Sequence, residues 1–228
     1  MHIRCETADA LNFPLAALTT PYLVLYNLAS TGAWMYLLWK LVAQIVADNG
    51  HHESVYGATG EKLTIVQTLA LLEVAHAALG LVKAPVTTSA IQIITRLLIV
   101  RGVLNFVGLP LLREHWAVST MISAWAIADI VRYIYYVFNM VGSVPGILQW
   151  ARYTLFFVLY PIGAGSEWIL LIKSLPYVKA IDERIYYAYI VVACLYPPGL
   201  YTMYTYMMAQ RRKYIGGTDW VDRSKKSR

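Results

Sequence analysis

The chain has 228 residues, 58% of them hydrophobic and only 14% charged, with a mean hydropathy of +0.51 and a formal net charge of +6. Soluble domains carry roughly 25% charged residues, so an ordinary water-soluble fold is excluded and a one-domain integral membrane protein is implied. Two cysteines, Cys5 and Cys194, make no disulfide framework and no CxxC metal spacing, and both read as idle or buried thiols.

The opening stretch "MHIRCETADALNFPLAALTTP" lacks the small-residue cleavage site of a signal peptide, so the first apolar segment is expected to direct insertion itself. Six apolar segments follow, at about 19–46, 62–82, 86–110, 114–138, 146–173 and 184–209, each near or above the ~20 residues that a span requires. Such runs are too long for barrel strands, and the predicted fold is an all-α polytopic bundle of about six transmembrane helices. The two arginines in 86–110 leave five or seven spans as alternatives. The polar stretches "ADNGHHESVYGATGEK" and "KSLPYVKAIDER" are expected as loops, and the other connections are short.

Positive charge sets the orientation. The last 18 residues hold seven basic residues against two aspartates, which predicts a cytosolic C-terminus beside anionic lipid. An even number of spans then places the N-terminus there too. Lys83 falls in a cytosolic turn and the 47–61 loop, free of Lys and Arg, is lumenal; Lys173 and Lys179 face the lumen against the rule. Residues 1–210 thus form one transmembrane domain and 211–228 a basic cytosolic tail. The closing "KKSR" has the spacing of a dilysine retrieval signal for the endoplasmic reticulum membrane.

Seven ionisable residues lie inside the segments: Glu73, Arg96, Arg101, Asp129, Arg132, Arg152 and Glu167. A charge at the bilayer centre costs about 2.5–3.5 kcal/mol on insertion scales, so these residues are expected to pair or to line a polar cavity inside the bundle. Gln92 and Arg96, four apart, share a face, as do Asp129, Arg132, Tyr133 and Tyr136. Arg152, Tyr160 and Glu167, eight and then seven residues apart, lie near one face. Pro161 is expected to kink the helix between Tyr160 and Glu167, and Gly163 and Gly165 to admit a close neighbour. Tyrosine and glutamate suit acid–base work in a dry site. From the residues alone, a proton-transfer enzyme and a proton-coupled transporter both remain open.

Three blocks, "LEVAHAALGLVKAPVTTSAIQIITR", "SWAIADIVRYIYY" and "RYTLFFVLYPIGAGSEW", resemble the very-long-chain (3R)-3-hydroxyacyl-CoA dehydratases, the protein tyrosine phosphatase-like family. The resemblance runs over nearly the whole chain. It implies a multi-pass endoplasmic reticulum enzyme, acting third in the fatty-acid elongation cycle, that dehydrates a (3R)-3-hydroxyacyl-CoA to a trans-2-enoyl-CoA. It places the family's catalytic pair on Tyr160 and Glu167, and supporting polar positions on Glu73, Gln92, Arg96, Arg152 and Gly163. Asp129 stands where glutamate is expected and Phe157 where tyrosine is common, which bears on whether Asp129 pairs with Arg132 or Arg96. No cofactor or metal is implied, since the substrate carries its own CoA; the other elongation enzymes (condensing enzyme, ketoacyl and enoyl reductases) are implied partners. Phosphatase activity is excluded by the residues, because Leu200 stands where a cysteine phosphatase needs an arginine six residues after its nucleophile, here Cys194.

Dehydration needs a base for the Cα proton and an acid for the departing hydroxyl. Glu167 as base and Tyr160 as acid is one assignment, and the inverse is the other. Arg96, Arg152 or a backbone N–H near Gly163 would steady the thioester oxygen. Lys83 and Arg211 to Lys213 are candidates for the CoA phosphates. A non-catalytic scaffold and a proton-coupled transporter are the rival readings.

Overall fold

Inside lipid a backbone must satisfy its hydrogen bonds within its own segment, and the apolar runs accordingly fold as helices. A computed structural model describes residues 9–82 and 86–215, and every regular element among them is helical. In order these are α1 (Asp9–Ala47), α2 (Val55–Leu69), α3 (Leu71–Ala78), α4 (Val86–Leu97), a π-helix (Leu98–Val107), α5 (Pro110–Arg113), α6 (Trp116–Val141), α7 (Gly146–Thr154), α8 (Phe156–Ile181) and α9 (Glu183–Ile215). Since α2 meets α3 at Ala70, α4 runs into the π-helix, and α7 meets α8 at Leu155, these elements form six rods and the one-turn α5. Among the described residues, three rods are long and apolar enough to cross a membrane: Val86–Val107, Trp116–Val141 and Gly146–Ile181. Cys5, Lys83 and the "KKSR" terminus lie outside the described residues.

The rods end where the sequence supplies left-handed residues. Gly80 (φ 72) closes α3 and Gly142 (φ 83) closes α6. At each, the following N–H reaches five residues back, Leu81 to His76 O at 2.9 Å and Ser143 to Phe138 O at 3.1 Å. These bonds satisfy carbonyls that the helix end would leave bare. At the start of α9, Asp182 Oδ1 accepts from the N–H groups of Arg184 and Ile185, at 2.6 and 3.3 Å.

Three local expectations change. The polar stretch after α1 is helical from Val55 onward, and Gly60 there serves packing: a Cβ at Gly60 would lie 2.7 Å from Tyr56 Cζ, whereas one at Gly57 would meet nothing within 4 Å. "KSLPYVKAIDER" continues α8 through Pro176 to Ile181, with the turn confined to Asp182. Helix α8 is also uninterrupted from Tyr160 to Glu167; the break falls at Leu155, upstream of Pro161. A proline ring crowds the preceding turn, so its distortion belongs on that side.

Helix α6 is the centre of the bundle, packed against α1 on one side and α8 on the other, with α9 against α8. Trp34 and Leu37 of α1, Met121 and Ile122 of α6, and Leu170 and Leu171 of α8 are buried where these rods meet. Between lipid-immersed helices such packing, rather than exclusion of water, holds the rods together. Leu25, Leu28 and Trp39 of α1 and Val191 and Leu195 of α9 are exposed on the outside of the bundle. Cys194 also lies on an exposed face of α9 rather than in the core. His52 and Lys173 both lie within electrostatic reach of His115, which brings the 48–54 and 108–115 connections together at one end of the bundle.

Candidate active site

The charges expected inside the apolar segments do not lie apart. Arg96 of α4 donates from Nη1 to Asp129 Oδ2 at 2.6 Å. Asp129, 3% exposed, also meets Arg132 one turn later on α6, at 3.3 Å between Oδ1 and Nη2. Arg132 in turn grips Glu73 of α3 with both terminal nitrogens, each at 3.0 Å. Tyr133 donates to the same Glu73 carboxylate, and the Arg132 guanidinium lies 4.7 Å from the Tyr133 ring centre. Two carboxylates and two guanidiniums alternate and cancel. Asp129 therefore pairs with both arginines, despite being one methylene shorter than glutamate.

Around this tetrad the polar chemistry continues outward. Tyr22 shares a hydrogen bond with His76 Nε2 at 2.8 Å, and Tyr26 meets the His76 and Tyr133 rings edge-on. The cluster thus ties α1, α3, α4 and α6 together. Breaking a buried pair by removing one member typically costs about 3–5 kcal/mol, because the other charge is left uncompensated.

Glu167 stands outside that charge balance. It is buried on α8, and among the described residues it forms no ion pair. Two neutral donors hold it instead: Trp125 Nε1 reaches Oε1 at 2.8 Å and Tyr196 Oη reaches Oε2 at 2.8 Å. The Arg96 guanidinium lies 4.8 Å from the Trp125 ring centre, so Trp125 links the carboxylate to the tetrad. Gly163, one turn before Glu167, is buried against α6; a Cβ there would sit 3.5 Å from Ala124 Cβ and 3.6 Å from Trp125 Cδ1. Gly165 has nothing within 4 Å of such a Cβ, so the close approach belongs to Gly163 alone.

Tyr160 is half-buried, and among the described residues its hydroxyl has no hydrogen-bond partner. It lies within electrostatic reach of Glu167 and of Tyr196. Tyr196 is therefore bonded to one member of the pair and near the other, across the two helical turns that separate them. The arrangement offers a carboxylate held by an indole and a phenol, with a second, free phenol nearby.

Other singled-out residues lie elsewhere. Gln92 is exposed, one turn from Arg96, and has no side-chain hydrogen bond among the described residues. Arg101 is exposed and donates to Thr68 Oγ1 at 2.8 Å. Arg152 belongs to α7, where its guanidinium lies 5.9 Å from the Tyr153 ring centre, and it does not join the Glu167 cluster. The break at Leu155 separates its helix from the one that carries Tyr160, so the eight-residue spacing does not hold them on one continuous face. A groove of about 530 Å³, lined by Tyr56, Glu61, Thr64, Asn105 and Arg113, lies between α2 and the π-helix, away from Glu167. Among the described residues no three His, Cys, Asp or Glu side chains converge as a metal site.

Two contacts of Glu167 are absent from the sequence reading. Trp125 had a local signal, four residues before Asp129 and so on the same helix face. Tyr196 had none, since only the packing of α9 on α8 brings it to the carboxylate.

Residues 67–217 match the family described as "Protein tyrosine phosphatase-like protein, PTPLA". A Schizosaccharomyces pombe protein named "Probable very-long-chain (3R)-3-hydroxyacyl-CoA dehydratase" is 41% identical over 202 residues, covering 84% of this chain and 91% of that protein. The Homo sapiens very-long-chain (3R)-3-hydroxyacyl-CoA dehydratase 2 is 32% identical over 89% of this chain and 84% of its own length. From Oryza sativa subsp. japonica, the dehydratase PASTICCINO 2A is 35% identical over 85% and 92%. No solved structure matches the chain.

Proposed function

Given that the chain belongs to the protein tyrosine phosphatase-like (PTPLA) family, we propose that it is a hydro-lyase, converting a (3R)-3-hydroxyacyl-CoA into a trans-2-enoyl-CoA and water. The relatives' names carry the reaction. The single structural observation that supports its placement is the buried Glu167 carboxylate, held by two neutral donors beside the unpartnered Tyr160 hydroxyl.

Glu167 takes the Cα proton of the bound thioester. With both of its oxygens accepting hydrogen bonds, it is set up as an acceptor, the form a base needs. The electron pair left on Cα forms the new double bond as the Cβ–O bond breaks. Hydroxide leaves poorly, and Tyr160 protonates it as it departs. Each turnover thereby leaves a proton on Glu167 and a charge on Tyr160. Tyr196, bonded to the first and near the second, supplies a route for returning that proton. Arg96, held by Asp129 and close to Trp125, adds positive potential where the thioester oxygen gains charge. No cofactor enters, because the substrate brings its own CoA.

The finer topology belongs to the same proposal. All six rods cross the endoplasmic reticulum membrane, with both termini cytosolic and the 48–54 and 108–115 connections lumenal. The enzyme serves the third step of very-long-chain fatty acid elongation, beside the condensing enzyme and the two reductases. Purified protein is expected to form enoyl-CoA from the (3R) substrate and not from the (3S) epimer. Absence of turnover with both, in protein that remains folded, favours a scaffold role instead.

A further inference from the structure

Near the end of the bundle where α7 begins and α9 finishes lie Arg152, Arg211, Arg212 and Lys213, with no carboxylate beside them among the described residues. Between residues 130 and 215 the only acidic residues are Glu167, Asp182 and Glu183. Glu167 is buried mid-helix, and Asp182 and Glu183 form the turn at the far end of the α8–α9 hairpin. None of the four cations has an ion-pair partner among the described residues.

A bias of cytosolic charge explains their number but not how they are held. Arg211 Nε lies 3.4 Å from Thr154 Oγ1 and its guanidinium 5.4 Å from the Phe157 ring centre. Arg152 borders Tyr153, whose ring stacks on Tyr214 with centres 4.8 Å apart and planes 12° apart. Gln149 Nε2 donates to the Tyr214 carbonyl at 3.2 Å, stapling the two helices. Arg152 and Arg211 are thereby fixed to one rigid corner, and Arg212 and Lys213 extend from the exposed last turn of α9 beside it.

That corner lies at a defined distance from the acid–base pair. From Thr154, Tyr160 is six residues along and Glu167 thirteen, or about 9 and 20 Å at ~1.5 Å per residue. The pantetheine arm of CoA has about thirteen bonds between its diphosphate and its sulfur. At three main-chain bonds per ~3.5 Å, it spans about 15 Å when extended. A diphosphate seated on the cations would place the thioester between Tyr160 and Glu167.

We propose that Arg152, Arg211, Arg212 and Lys213 form the docking site for the 3′-phosphate and diphosphate of the substrate's CoA, with the α7–α8 rod measuring the pantetheine arm into the active site. This rests on the dehydratase reading and is tested separately from it. The assay compares kcat/KM for a 3-hydroxyacyl-CoA and the matching 3-hydroxyacyl-pantetheine, which lacks the nucleotide, in wild type, Arg152→Gln and Arg211→Gln/Arg212→Gln/Lys213→Gln. Wild type is expected to prefer the CoA thioester, and the variants to lose at least ten-fold of that preference, mainly through KM. In wild type itself, added salt raises KM for the CoA thioester and not for the pantetheine thioester, a readout that needs no variant to fold. An unchanged preference in both variants overturns the proposal, as does a variant that loses binding to phosphatidic acid vesicles while keeping the wild-type KM, which would make the cations lipid anchors. Turnover of neither thioester by wild type overturns the dehydratase reading instead.

Discussion

Replacing Tyr196 with phenylalanine removes one hydroxyl and leaves the ring packed on α8. What disappears is the 2.8 Å hydrogen bond to Glu167 Oε2, leaving Trp125 as the remaining donor to the carboxylate. A hydrogen bond to a charged group contributes about 1.5–3 kcal/mol. If that contribution positions and stabilises the base, its loss corresponds to about 10- to 150-fold at ~1.4 kcal/mol per factor of ten. Steady-state dehydration by purified protein should therefore show kcat reduced by at least about ten-fold with KM changed by less than about three-fold. A thermal melt of the same sample separates this from unfolding. Wild-type kcat in a folded Tyr196→Phe protein would refute the assigned role of Tyr196 and the proton-return route through it.

Other outcomes follow from the same contacts. Glu73→Gln or Asp129→Asn breaks the buried tetrad and should cost about 3–5 kcal/mol of stability, read as a lowered thermal midpoint in detergent. The Glu73→Gln/Arg132→Met double variant should be less destabilised than the sum of the two single changes, since it removes both charges of one pair. At Gly163, alanine should be accommodated, because its Cβ meets Ala124 and Trp125 at ordinary contact distance, whereas leucine should displace Trp125 and lower turnover; equal activity would contradict the packing account. Burial and the nearby Lys173 and His52 hold the His115 imidazole below its usual value of 6.5, and its Nδ1 accepts from the Ala117 N–H at 3.2 Å at the start of α6. A depressed folded-state value gives stability that is complete above the unfolded pKa and lost as pH falls through the folded one. The thermal midpoint should thus decline below about pH 6.5, and less so in His115→Asn, where the cap carries no titrating group.

Apolar runs long enough to span a bilayer were legible as rods because lipid leaves the backbone no alternative to internal hydrogen bonding. Their ends were less so. Gly57 and Gly60 read as loop residues although they lie within α2, Gly60 against the Tyr56 ring, and "KSLPYVKAIDER" read as a loop although α8 continues through Pro176 to Ile181. Buried charge was informative for a similar reason, since Arg96, Asp129, Arg132 and Glu73 had to find each other inside the bundle. Glu167 was already a candidate in the sequence, but that it would remain outside the charge balance was legible only once the pairs are seen. Helical phase carried over badly where a helix breaks, and Arg152 sits with Tyr153 and not with Glu167. Tyr196 depends on tertiary contact between α8 and α9, which no spacing within one helix encodes.

Glu167→Gln offers the most direct measurement, because it keeps shape and burial while removing the basic oxygen. The purified variant, assayed on a (3R)-3-hydroxyacyl-CoA beside wild type and Tyr160→Phe, should form enoyl-CoA at least about a hundred-fold more slowly than wild type, in keeping with loss of a general base. Tyr160→Phe should be comparably impaired while both variants remain folded. Wild-type rates in folded Glu167→Gln would contradict the account at its centre.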